Sequence, residues 1–172
     1  MNAVRRTLLI LGVSMAIHHA GQAAEPAPDQ AKAIKEIEEL EGLTRLRYLD
    51  FFCDAITGEG LEHLKGLTQL VSLSLRGAKV TDAGLAKLAA LRQLDFLDLM
   101  QNRITDAGLV HFRGLTRLRV LYLNSNQVTD AGLEHLAGLK RLEFLAIDRT
   151  KVTDQGLKRL QQALPGCEIE NR

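Results

Sequence analysis

Val80-Thr81-Asp82-Ala83-Gly84-Leu85-Ala86-Lys87-Leu88-Ala89-Ala90-Leu91-Arg92-Gln93-Leu94-Asp95-Phe96-Leu97-Asp98-Leu99-Met100-Gln101-Asn102-Arg103 holds two periodicities. Leu85, Leu88 and Leu91 recur at helical spacing, whereas Leu97 and Leu99 alternate as one face of a short strand does. The stretch therefore reads helix, turn, strand, turn. Its opening recurs at a step of 24 residues, as Ile56-Thr57, Ile104-Thr105-Asp106, Val128-Thr129-Asp130 and Val152-Thr153-Asp154. Units repeating at this period cannot each bury a hydrophobic face alone, so stacking must supply the core.

Within each unit the segment Leu94-x-x-Leu97-x-Leu99-x-x-Asn102 has counterparts at Leu118, Leu121, Leu123, Asn126 and at Leu142, Leu145, Ile147, Thr150. On these residues the chain resembles the leucine-rich repeat family over roughly residues 32–172. The Thr-Asp-Ala-Gly-Leu helix start looks most like the cysteine-containing subtype of F-box-associated repeats and of many secreted bacterial repeat proteins. The resemblance implies an α/β right-handed solenoid, a horseshoe segment with a parallel concave sheet, convex helices and a 24-residue period.

The flanks set the domain organisation. Residues 1–24 carry no acid and combine Arg5 and Arg6 with an apolar run Leu8–Ile17 and the small-residue stretch Ala20–Ala24, the pattern of a signal peptide cleaved after Ala23 or Ala24. Its apolar run is shorter than the about 20 residues a bilayer span needs, so no membrane span is expected after cleavage. Residues 25–31 read as a linker, with Pro26 and Pro28 each disfavouring helix before them. Ile34, Ile37, Leu40 and Leu43 then form one apolar stripe, an N-terminal helical cap that merges into a first repeat with strand Arg47–Phe51. At the other end Pro165 stops a last helix, and Glu168 and Glu170 charge the final strand edge. Without residues 1–24 the balance is 20 basic against 21 acidic residues, with no basic run to attract nucleic acid.

Local chemistry gives further expectations. The Thr and Asp that open each helix can accept hydrogen bonds from its first N–H groups. Gly66, Gly114 and Gly138 stand at helix exits, where a positive φ would let the chain turn back. Asn102 and Asn126 can tie backbone groups of adjacent turns, Asp54 and Thr150 can do part of this, and Ala78 none, so the second turn should be less firmly held. Cys53 and Cys167 fall in the first and last repeats, some 20 Å apart at about 4.8 Å per strand, which excludes an intramolecular disulfide. Cys167 reads as a small buried hydrophobe.

Function is sought on the concave face. Residues flanking the inward leucines form three columns: Tyr48, Ser72, Phe96, Val120, Phe144; Asp50, Ser74, Asp98, Tyr122, Ala146; and Phe52, Arg76, Met100, Asn124, Asp148. The candidate partner-binding residues are Tyr48, Asp50, Phe52, Arg76, Phe96, Asp98, Met100, Tyr122, Asn124, Phe144 and Asp148. Five of the seven aromatics thus share one face with Met100 and Arg76, types enriched at interface hot spots. The blander alternative is that Phe96 and Phe144 fill the groove beside the sheet. The acids favour a protein or peptide ligand with some positive charge, bound by a monomer.

An enzyme needs a nucleophile, a base and a group that holds charge within a few ångströms, and the sequence offers no such set. His63, His111 and His135 share one position of the repeat, on the solvent side of the helices, and two imidazoles do not complete a metal site. No cofactor motif is present. The expectation is a non-enzymatic binding module of an exported protein, periplasmic or secreted. The alternatives are an F-box-like substrate receptor for a ubiquitin ligase, or an enzyme inhibitor.

Overall fold

A computed structural model describes residues 43–51 and 60–171. The signal sequence, the linker, all but the last residue of the helical cap, and Phe52, Cys53 and Asp54 lie outside the described residues. Six parallel strands follow one another in a single open sheet: β1 Tyr48–Asp50, β2 Ser72–Ser74, β3 Phe96–Asp98, β4 Val120–Tyr122, β5 Phe144–Ala146 and β6 Glu168–Glu170. Each middle leucine pairs with the one 24 residues on, Leu49 with Leu73, Leu73 with Leu97, Leu97 with Leu121 and Leu121 with Leu145. The repeat period and the sheet register are therefore one quantity. The strand leucines and the helix leucines of every unit close over a single core, with Leu61, Leu85, Leu97, Leu109, Leu121 and Leu145 fully buried.

The helical layer is less uniform than the leucine spacing predicts. Asp82–Leu88, Asp130–Leu136 and Asp154–Ala163 are α-helical, Gly60–Leu64 is a 3-10 helix, and Asp106–Leu109 passes into 3-10 at Val110–Gly114. The unit that departs from the motif, with Gly58-Glu59 after Thr57, is the one whose described helical residues, Gly60–Leu64, are all 3-10. Helix exits correct the expectation placed on Gly66, Gly114 and Gly138, none of which has positive φ. Leu67 donates to Leu64, Leu91 to Leu88, Leu115 to Phe112 and Leu139 to Leu136, and such three-residue bonds turn the chain without leaving negative φ. Left-handed residues stand instead after the strands, at Gly77, Gln101, Ser125 and Arg149, again at 24-residue steps. Non-glycine residues in that region cost about 1–2 kcal/mol each, so the neighbouring turns must hold them in place.

Two side-chain ladders do so. Asn102 accepts from Val80 N–H at 2.8 Å and donates to Leu75 and Leu99 carbonyls at 2.9 Å. Asn126 repeats this toward Ile104, Leu99 and Leu123. Each asparagine thus serves the turn before it as well as its own. The second turn is consequently tied by Asn102 from the next repeat, even though Ala78 contributes no side-chain bond. Thr150 bonds only its own turn, through Ile147 O.

The second ladder gives the Thr-Asp-Ala-Gly motif its physical content. Asp82, Asp106 and Asp130 receive both the N–H and the hydroxyl of Thr105, Thr129 and Thr153 in the following repeat, at 2.6–2.8 Å. These donors hold the Asp130 carboxyl below the usual carboxylate range. Thr105, Thr129 and Thr153 also cap their own helices through the side chain, but Thr81 does not. Gly108, Gly132 and Gly156 each make room for the preceding repeat's carboxylate: a Cβ on Gly132 would stand 2.4 Å from Asp106 Oδ1 and 3.0 Å from Val128 Cγ1. Asp106 cannot swing aside without releasing Thr129. Gly132→Ala should therefore lose about 1–3 kcal/mol in urea unfolding. Gly138→Ala, where nothing lies within 4 Å of the added carbon, should lose none. Equal midpoints for the two variants would contradict this role for the motif glycine.

Candidate functional site

The strands are three residues long, so on each of them only the first and last side chains point away from the leucine core. Across β3, β4 and β5 these positions bring three rings together. Tyr122 lies between Phe96 and Phe144, with ring centroids 5.7 and 5.5 Å away and planes tilted by 53° and 49°. Such tilted pairs set the positive edge of one ring toward the face of the next. All three rings are partly exposed. They pack on each other and still present surface, so groove filling and availability to a partner coexist.

Tyr48 is 64 % exposed on β1, with the Arg47 guanidinium 5.8 Å from its ring centroid. Ser72 and Ser74 separate it from the ring cluster. Asp50 is exposed beside it, and Phe52 lies outside the described residues. Asp98, half-buried on β3, accepts the Met100 N–H at 2.9 Å. Burial lifts its carboxyl above the usual range, while the Met100 N–H and nearby Arg76 pull the other way.

The third column departs from the alternation that placed it on the open face. Arg76, Met100, Asn124 and Asp148 lie past the strand ends, in the turns, where side chains no longer alternate. Asn124 is only 6 % exposed and donates through Nδ2 to Asp148 Oδ2, so it positions that carboxylate and offers little surface itself. Arg76 Nε and Asn124 Oδ1 have no hydrogen-bond partner among the described residues. The candidate residues therefore separate into an aromatic centre at Phe96, Tyr122 and Phe144, a margin that is polar at Arg76, Asp98, Asn124 and Asp148 and apolar at Met100, and an outlying pair at Tyr48 and Asp50.

Away from the sheet face, His63, His111 and His135 are partly exposed on the helical side, and the Arg113 guanidinium lies 3.0 Å from His135 Nδ1. Among the described residues no three His, Cys, Asp or Glu side chains gather into a metal-binding group. Cys167 is a free thiol, 4 % exposed, and burial together with Glu168 pushes its pKa up to about 11. That environment suits a packing residue and not a thiolate nucleophile. No helix among the described residues is long and apolar enough to cross a membrane.

A parallel sheet of stacked 24-residue units, backed by helices and laced by asparagines, defines a solenoid of repeats. Family profiles described as Leucine rich repeat match residues 92–152 and 67–89, and the chain is a leucine-rich repeat protein. Among solved structures it is similar to an internalin C2 of Listeria monocytogenes, at 29 % identity and a TM-score of 0.63, covering 77 % of this chain and 55 % of that one. An internalin (inlF) of the same organism matches at 24 % identity and a TM-score of 0.63, covering 77 % and 36 %. A leucine-rich repeat protein of Leptospira interrogans matches at 23 % and 0.54, covering 79 % and 33 %. The chain thus spans between a third and just over half of these proteins. No curated protein matches it in sequence. The fold suggests a protein-binding module, because a stacked array supplies an extended, largely preformed surface.

Proposed function

We propose that this chain is a non-enzymatic module of an exported protein, and that it binds a protein or peptide segment through the sheet face. The observation that carries the reading is the ring cluster of Phe96, Tyr122 and Phe144, which spans three strands and stays partly exposed. Aromatic anchors at the centre of a patch with a polar margin are the usual anatomy of a recognition surface. Asp50, Asp98 and Asp148 make lysine or arginine the complementary residues of a ligand. An open surface that excludes no water is a poor place for catalysis but suits binding by a preformed shape. Export is supported by the basic, apolar and small-residue blocks of residues 1–24.

Produced in a secreting bacterium with these residues in place, the chain should be recovered without them, starting at Ala24 or Glu25. Peptides selected on that protein from a random library should be rich in Lys and Arg. They should bind Tyr122→Ala at least about tenfold more weakly, the loss expected of a hot spot. Selected peptides that hold Tyr122→Ala and Phe96→Ala as tightly as wild type would remove the site from this face.

A further inference from the structure

Stacking gathers charge that is dispersed along the sequence. The four residues before each of the first five strands, 44–47, 68–71, 92–95, 116–119 and 140–143, lie one above another at the edge where the chain enters the sheet. They carry seven basic residues against two acids, Asp95 and Glu143. Six of the seven are arginines, and all seven are exposed. Arg45, Arg117 and Arg141 share one column of the repeat, Arg47 and Arg119 another, Arg92 and Lys140 a third. At about 4.8 Å per strand this row is some 19 Å long.

The opposite edge is different. The turns and helix starts at 76–83, 100–107, 124–131 and 148–155 hold five basic and five acidic residues, and three of those acids form the Asp–Thr ladder. The molecule is therefore polarised across the sheet, although the chain as a whole is close to neutral.

Some of the entry-edge charge is used internally. Arg119 pairs with Glu143 and Asp95, Arg117 donates to Gln93, and Lys140 donates to Ala163 O. Arg45, Arg92 and Arg141 have no such partner among the described residues. Arg45 and Arg141 each border a shallow recess, the first with Thr44, Thr68 and Gln69, the second with Lys140 and Glu143.

We infer that this arginine-lined edge binds a linear sulfated polysaccharide. A narrow row of cations fits a thread of anions, and the guanidinium fork matches the oxygens of a sulfate group in pairs. A protein partner would need an apolar centre, yet the exposed large hydrophobics among the described residues are Tyr48 and Val110, both outside these turns. Single-stranded nucleic acid would need a run of rings on which successive bases stack, and beside this row stands one exposed ring, Tyr48 against Arg47, while Phe96, Tyr122 and Phe144 cluster on the sheet face. A lipid surface is held strongly only where apolar side chains also insert.

The test uses heparin as the probe on the full chain, with two charge-matched variants. Arg92→Glu/Arg141→Glu reverses two unpartnered cations of the row, and Arg103→Glu/Lys151→Glu reverses two on the opposite edge. The first should weaken heparin binding at least about tenfold and flatten its dependence on salt, and the second should change it less than about threefold. Arg92→Ala/Arg141→Ala should fall between wild type and the first reversal, which covers any folding defect of the glutamates. Equal losses in both reversals would reduce the effect to net charge and overturn the proposal. So would unchanged binding in the first, or tighter binding of poly(U) or phosphatidylglycerol vesicles than of heparin at the same salt.

Discussion

Asn126→Ala should lower the unfolding free energy by on the order of 3–5 kcal/mol, among the largest losses available to a single polar side chain here. The amide is 5 % exposed and fully engaged. Oδ1 accepts from Ile104 N–H at 3.0 Å, and Nδ2 donates to Leu99 and Leu123 carbonyls at 2.8 and 3.0 Å. Truncation strands Ile104 N–H and Leu123 O in a dry interior at about 1–3 kcal/mol for each one left unpaired, while Leu99 O keeps the Asn102 Nδ2 donor. The groups belong to two consecutive turns, so the loss also loosens the contact between repeats, which is the term that holds a solenoid together. Asn126→Asp should be worse than alanine, because it keeps the acceptor but sets a carboxylate against carbonyls that expect a donor. Thr150→Ala tests the same position where only one internal bond exists, to Ile147 O, and should cost less than about 1.5 kcal/mol. Urea unfolding of the three variants checks the order. Equal losses at 126 and 150 would mean that the ladder does not bear on stability.

The period, the parallel sheet and its register were legible in the sequence for one reason. Stacked identical units place equivalent residues in equivalent surroundings, so a leucine every 24 residues reports both the core and the strand pairing. What was not legible depends on two repeats at once. Asp106 reads locally as a helix-start acid, and its bonds to Thr129 exist only when the next unit is in place. The left-handed turns at Gln101, Ser125 and Arg149 escaped because none of these residues favours that conformation on its own, and the asparagine that follows each of the first two supplies ties from outside. Glycine at helix exits misled for the converse reason: its freedom is available there but the 3-10 turn does not use it.

The site was legible to the same degree. Alternation places Phe96, Tyr122 and Phe144 on one face because they lie inside strands. It fails at Asn124, two residues past Tyr122, where the strand has ended and the side chain folds back to Asp148. The basic edge was hidden altogether. Its cations are scattered along the chain in ones and twos, at 45 and 47, 92, 117 and 119, and 140 and 141, and form a row only when the turns that carry them stack.

Leu121→Ala should cost about 2–5 kcal/mol, the range of buried leucine truncations, and should fall in the upper half of it. Leu121 is fully buried at the centre of β4, with Leu97 on one side in β3 and Leu145 on the other in β5. The cost of such a cavity depends on whether its walls can close. Here they are pinned: the strand continues on one side into the Asn126 ladder, and Arg119 N–H and Glu143 N–H fix its entry to the neighbouring repeats through Asp95 O and Arg119 O. Leu49 offers the comparison, being equally apolar but in β1, which pairs with β2 alone among the described strands. With one paired strand among the described residues in place of two, Leu49→Ala should cost less. Position also governs cooperativity. A defect in the middle of a linear array weakens the coupling of the units on either side, so Leu121→Ala should broaden urea unfolding and lower its slope, while Leu49→Ala should shift the midpoint and keep the slope. Leu121→Met, which preserves volume, should lose less than about 1.5 kcal/mol and separate the cavity from any requirement for leucine itself. A Leu121→Ala protein that unfolded at the wild-type midpoint would place that side chain outside the core and undo the register on which the ring cluster, the ladders and the basic row are all built.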